Sequence, residues 1–266
     1  MYDQFNRHIS YLRVSVTDRC NLRCRYCMPE EGVQLLSHDD ILSFEEIVEV
    51  VKTGVSMGIE KVRLTGGEPL VRKGIAELVR EIASVPGIRD LSMTTNGIFL
   101  PKYAKQLAEA GLNRVNISLD TVDSERYSEI TRTGGIAQVF SGIEAAKEAG
   151  LEPVKINCVV FKSRNEQDAM EVERFANLHN LQVRFIHQMD LKTGEFSVVE
   201  GGEGGNCSVC NRLRLTANGM LKPCLFSELE YNIRELGIKK AYELALENKP
   251  RCGSYNKSNK FYNIGG

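Results

Sequence analysis

Apolar and polar positions follow two alternating rhythms between residues 11 and 189. Short runs rich in β-branched residues read as strands: YLRVSVT (11–17), KVRLTGG (61–67), LSMTTNG (91–97), RVNISLD (114–120), PVKINCVVF (153–161) and LQVRFIHQM (181–189). Polar groups and glycines gather at their C-terminal ends. The intervening stretches carry helical spacing. Phe44, Ile47, Val48 and Val51 share one face, with Ser43 as N-cap and Glu46 three residues on, the pattern of a capping box. Further helices are expected over about 74–84, 101–110, 136–149 and 166–179, and the glycines of the two EAGL segments suit helix ends.

Strand–helix alternation of this kind implies a parallel sheet with right-handed crossovers. A closed eight-stranded barrel uses roughly 250 residues and this pattern occupies only about 180, so the fold class is α/β, a partial (βα)6 barrel. In such folds the chemistry sits at the C-terminal ends of the strands. After Met189 the rhythm breaks into the glycine-rich GEFSVVEGGEGG (194–205). A hairpin follows, turning at Asn218-Gly219 within RLRLTANGMLKPCLF. Residues 233–247 read as helix and NKSNKFYNIGG as a polar tail. The expected division is a core over 1–190 and a C-terminal extension over 191–266.

Lys and Arg number 34 against 35 acidic residues. That balance leaves no basic footprint for a nucleic-acid partner, though a local basic pocket remains compatible with it. No apolar run is long enough to span a bilayer and the first ten residues have no apolar leader core, so a cytoplasmic protein without a membrane partner is expected. In that compartment the eight cysteines point to metal or cluster ligation rather than to disulfides. Six of them form two triplets: Cys20, Cys24 and Cys27 after the first strand, then Cys207, Cys210 and Cys224. Cys158, in an apolar run, and Cys252, in a polar one, read as packing or as having no role.

Three thiolates can hold a cubane iron–sulfur cluster and leave one iron open to a small molecule. A structural zinc site is the alternative for either triplet, with Cys252 as a fourth ligand for the second. Gly66 and Gly67, after the second strand, permit a sharp turn and a close approach. Thr94 and Ser118 end the third and fourth strands, where hydroxyls serve a ligand or merely cap a turn. Arg212 and Arg214 flank Leu213 and so share one face of a strand. With Arg13, Arg63 and Lys155 they suit a polyanion through forked hydrogen bonds, the alternative being ordinary ion pairs.

CNLRCRYCMP, with its Cys-x-x-x-Cys-x-x-Cys spacing, together with LTGGEPL about forty residues on, resembles the signature of the radical S-adenosylmethionine (SAM) superfamily. KVRLTGGEPLVRKG, LSMTTNG, RVNISLDT, KINCVVFK, CSVCNRLRLTANGMLKPCLF and the terminal IGG extend the resemblance to the MoaA family, the GTP 3′,8-cyclases of molybdenum-cofactor biosynthesis. The resemblance implies a lyase with two [4Fe–4S] clusters, one at Cys20, Cys24 and Cys27 with SAM, the other at Cys207, Cys210 and Cys224 facing the substrate. It assigns Tyr26, Gly67, Ser118 and Met189 to SAM. Arg13, Arg63, Thr94, Lys155, Arg212, Leu213 and Arg214 go to GTP. Gly265 and Gly266, with Arg184 near them, are assigned to the reacting centre. It also implies a reductant such as flavodoxin or ferredoxin and a downstream cyclic pyranopterin monophosphate synthase, and it leaves a homodimer open. A related enzyme acting on another nucleotide or a peptide, and a non-enzymatic iron–sulfur or zinc module, are the rival readings. Two features depart from the family pattern: the connector between Met189 and Cys207 is short, and the sixth strand reads RFIHQMD.

Overall fold

The computed structural model describes residues 1–258 and 261–264. The six expected strands form, each ending short of the expected run: β1 (Tyr11–Ser15), β2 (Lys61–Thr65), β3 (Asp90–Thr95), β4 (Arg114–Ser118), β5 (Lys155–Val160) and β6 (Gln182–His187). The helices between them are α1 (Phe44–Met57), α2 (Ile75–Ala83), α3 (Leu100–Glu109), α4 (Ser124–Thr131), α5 (Ile136–Glu148) and α6 (Gln167–Leu178). The capping box forms as expected: the Ser43 hydroxyl accepts from the Glu46 amide at 3.2 Å, and the Glu46 carboxylate accepts from the Ser43 amide at 2.7 Å. The short helix α4 was not anticipated, because SERYSEIT offers only Tyr127 as a large buried apolar group.

All six strands run parallel, in the order β6-β5-β4-β3-β2-β1, and stay open rather than closing. This is the partial barrel of the sequence reading. The extension then joins the same sheet. Strands β7 (Arg212–Leu215), β8 (Met220–Lys222) and β9 (Tyr231–Asn232) add beyond β1, with β7 parallel to it and β7–β8 the expected antiparallel hairpin. The helix expected over 233–247 divides at Gly237 into α7 (Ile233–Leu236) and α8 (Ile238–Glu247).

Strand alternation separates two faces. Leu12, Val14, Val62, Leu64, Met93, Ile117, Ile156 and Leu213 turn toward the helices and are buried in one continuous core. Cys158 lies there too, a packing residue as expected. The other face carries Arg13, Arg63, Asn116, Asn157, Arg184 and Arg214 and encloses a chamber. Leu191, Leu225, Phe226 and Ile264 form a smaller, separate cluster, of which Leu225 and Phe226 line the chamber. The tail is therefore not a purely solvated segment: residues Phe261–Ile264 form a helix, α9, and Ile264 is buried.

Candidate active site

The loop after β1 gathers Cys20, Cys24 and Cys27, all partly enclosed. Two strand ends hold it. The Tyr26 hydroxyl donates to Asp120 at 2.7 Å, and the other oxygen of Asp120 accepts from the Val159 amide at 2.8 Å. A second carboxylate, Glu68 of the Gly-Gly-Glu turn, accepts from the Leu70 amide at 3.0 Å, the Thr95 hydroxyl at 2.8 Å and the Asn96 amide at 2.7 Å. Asn96 in turn donates to Asn21, inside the cysteine loop, at 2.8 Å. Burial outweighs these donors, pushing the Glu68 carboxyl up to about 7 and that of Asp120 up to about 6. The freedom of Gly67 serves this loop: a Cβ there would stand 2.4 Å from the Arg19 carbonyl oxygen.

Burial, then the neighbouring Cys20, pushes the Cys27 thiol up to about 12; Cys24 is raised first by burial, then by Asp120, Cys27 and Cys20. Three thiolates so enclosed and so mutually repulsive need a compensating cation. The irons of a cluster supply one, so the donor set fits the group the signature implies. Tyr26 and Ser118 line a small cavity beside Cys24. Met189 stands apart from them, in the wall of the larger chamber.

The second triplet lies at the other end of the barrel. Cys207 and Cys210 immediately precede β7, whose first residue Arg212 is in register with Tyr11, the first residue of β1. The first triplet follows the C-terminal end of β1, so the two sets are separated by more than the strand itself, about 13 Å. The expectation that all the chemistry sits at the C-terminal ends therefore holds for one set only.

Between the ends lies a chamber of ≈ 480 Å³ whose walls include Cys207, Cys210 and Cys224. Its floor is a row of cations fixed by strand register: Arg214 beside Arg13, Arg13 beside Arg63, Arg63 beside Ser92, Ser92 beside Arg114. Tyr11 lies between Arg63 and Arg212, whose guanidinium carbons are 5.5 and 5.7 Å from its ring centre. Arg114 forms a two-pronged ion pair with Asp90. Burial and then neighbouring cations hold Arg13, Arg184 and Lys155 below their ordinary values, and bring Arg214 down to about 10. Such a surface favours a polyanion.

Among the described residues the Thr94 hydroxyl, both amide atoms of Asn116, the Asn157 carbonyl and the Arg184 Nε are buried without partners. Of these, Asn157 and Arg184 line the chamber. Leu213 faces the opposite way and is fully buried in the core, so only its backbone can take part. Gly265 and Gly266 lie outside the described residues.

Sequence reasoning missed four participants. Asn116 and Asn157 alternate in phase with Ser118 and Lys155, a signal legible once the strands are aligned. Lys249 had no local signal. Almost wholly buried, it donates to the carbonyls of Arg212 at 2.7 Å and Pro223 at 2.5 Å, and its charge favours the thiolates of Cys210 and Cys224. Arg7 is the fourth. It donates to the carbonyls of Cys207 at 2.8 Å, Arg251 at 2.9 Å and Pro250 at 2.7 Å, and is held by Asp3 at 2.7 Å.

Residues 14–176 match the Radical SAM superfamily and residues 162–262 the Molybdenum Cofactor Synthesis C family. A GTP 3′,8-cyclase from Petrotoga mobilis is 42% identical, with the match covering 98% of this chain and 97% of that one. The chain belongs to the GTP 3′,8-cyclase family. Another member, from Thermodesulfovibrio yellowstonii, is 44% identical over 89% of this chain and 88% of its own. The backbone is similar to that of Streptococcus suis SuiB bound to its precursor peptide SuiA, with a TM-score of 0.68 at 16% identity, covering 91% of this chain and 65% of that one. It is also similar to anSMEcpe with bound AdoMet, with a TM-score of 0.62 at 16% identity, covering 95% and 93%. These two likenesses concern the fold.

The connector shapes the chamber of this family member. Glu200 bridges antiparallel to Phe185 on the free edge of β6, and Phe196, Val199 and Gly202 stand in the chamber wall. Gly201 is required there: its φ is +76° and a Cβ would meet the Val183 carbonyl oxygen at 2.6 Å. Among the described residues no helix is long and apolar enough to cross a membrane.

Proposed function

We propose that this chain converts GTP to (8S)-3′,8-cyclo-7,8-dihydroguanosine 5′-triphosphate, a lyase reaction of molybdenum-cofactor biosynthesis. The observation that carries the substrate side is the row Arg214, Arg13 and Arg63, which faces the same cavity as Cys207, Cys210 and Cys224. A triphosphate answers those cations where a peptide backbone would not. Cys20, Cys24 and Cys27 would hold the first [4Fe–4S] cluster with SAM, beside Tyr26, Gly67 and Ser118, and the second triplet would hold the substrate-side cluster. Bound there, the first cluster and SAM would supply the radical chemistry that the cyclisation between the ribose C3′ and guanine C8 needs.

The protein's own residues bind, orient and shield. The arginine row with Arg212 and Lys155 anchors the triphosphate. Thr94, Asn116 and Asn157 offer hydrogen bonds to the nucleoside. Arg184 stands at the reacting centre, and the connector wall, with Met189 beside it, excludes water from the chamber. Flavodoxin or ferredoxin serves as reductant and cyclic pyranopterin monophosphate synthase takes the product, both in the cytoplasm.

The test is anaerobic incubation of the reconstituted protein with SAM, dithionite and GTP deuterated at C3′. The expected result is GTP-dependent 5′-deoxyadenosine carrying deuterium. Equal 5′-deoxyadenosine with and without GTP would overturn the substrate assignment.

A further inference from the structure

Cys252, exposed and separated in sequence from both triplets, lies against the second one. Arg7 donates at once to the carbonyls of Cys207, Pro250 and Arg251, which draws the segment leading into Cys252 onto Cys207. On its other side Gly253 presses on Cys224: a Cβ there would be 3.1 Å from the Cys224 sulfur. The Ser254 amide, donating to the Phe226 carbonyl at 2.9 Å, pins the segment beyond. The Cys252 and Cys207 side chains are in contact, and the Gly253 amide reaches Cys207. Cys252 does not join the chamber wall, whereas Cys207 does.

We propose that Cys207 and Cys252 form a thiol–disulfide exchange site: in a chain lacking its second cluster they close a disulfide that withholds Cys207 until it is reduced. This rests on the reading of Cys207 as a ligand of that cluster. The oxidant is a small disulfide such as glutathione disulfide. Exposed Cys252 attacks one of its sulfurs as the thiolate, forming a mixed disulfide and releasing one glutathione thiolate. Cys207 then attacks the Cys252 sulfur and expels the second glutathione. The two protein thiols are oxidised by two electrons, the small disulfide is reduced by two, and the two protons end on the released glutathiones. With the cluster bound, the Cys207 sulfur is committed to iron and the second step has no nucleophile.

The experiment uses the full chain, freed of iron, treated anaerobically with glutathione disulfide and quenched with N-ethylmaleimide. Mass spectrometry of an unreduced digest should recover the Cys207 and Cys252 peptides joined, with about two fewer alkylated thiols per chain. Dithiothreitol should reverse the link, and Cys252→Ser should leave Cys207 alkylated. Reconstitution of the linked chain should yield about four irons, against about eight after reduction. A lasting glutathione adduct on Cys252 with Cys207 alkylated, or a Cys207 link to Cys210 or Cys224, would overturn the proposal. So would formation of the link in the loaded protein without loss of iron, an outcome that would also remove Cys207 from the cluster. Absence of a link in the iron-free chain defeats the exchange site alone, because the iron content of untreated protein reports separately on the cluster.

Discussion

Glu68→Gln isolates the carboxylate that ties the Gly-Gly turn to the cysteine loop. The wild-type carboxyl is 1% exposed and raised from 4.5 to about 7, with burial as the leading cause. Because the folded value lies above the unfolded one, the folded chain retains the proton through that window. The contribution of this group to stability is therefore fully present below pH 4.5 and lost as pH rises through 7. Between pH 5 and pH 8 the loss is about 2.5 kcal/mol, and glutamine, which does not titrate, escapes it. Glutamine also turns an NH₂ group toward the Asn96 amide or the Thr95–Leu70 pair, forfeiting a bond at a roughly pH-independent cost of about 1–3 kcal/mol. The gap in unfolding free energy between wild type and variant, from urea titrations of the reduced iron-free chain followed by circular dichroism, should close by about 2.5 kcal/mol from pH 5 to pH 8. Asp120 and the cysteines titrate in both proteins and cancel to first order. A gap constant across that range would refute the argument that burial, rather than the three donors, dominates at Glu68.

Other perturbations probe the two ends separately. Arg63→Met removes one cation of the row and should weaken GTP binding about 10–100-fold by calorimetry. Its thermal midpoint should not fall, because Arg63 repels Arg13, Arg184 and Lys155. Cys24→Ala and Cys224→Ala should each reduce iron from about eight to about four per chain, but only the first should abolish reductive SAM cleavage. Lys249→Met withdraws a positive charge from Cys210 and Cys224, so redox titration followed by electron paramagnetic resonance should show a more negative potential for the second cluster alone.

Much of this was legible because the barrel follows from local rules. Runs of β-branched residues and the Ser43–Glu46 cap announce their elements without tertiary help. The cysteine triplets carry their chemistry in their spacing. What escaped depends on contacts far apart in sequence. Lys249 reaches Arg212 and Pro223 through the return of α8 past the sheet, and Arg7 joins the beginning of the chain to residues 207 and 250–251. No periodicity encodes such meetings. The tail appeared polar by composition, yet Phe261 and Ile264, three apart, suffice for one helical turn against Leu191 and Leu225. The placement of the second triplet at the opposite rim escaped for a topological reason. The direction of β7 is set by its pairing with β1, which the extension's own sequence does not reveal.

That placement bears on how the enzyme matures. With a cluster at each triplet, iron and sulfide would enter from two rims, one beside the loop after β1 and one beneath the start of β7, with the arginine-lined interior between them. If the two rims fill independently, half-assembled chains of two kinds coexist at the same iron content. Only a probe specific to each rim, such as SAM at one and GTP at the other, tells them apart.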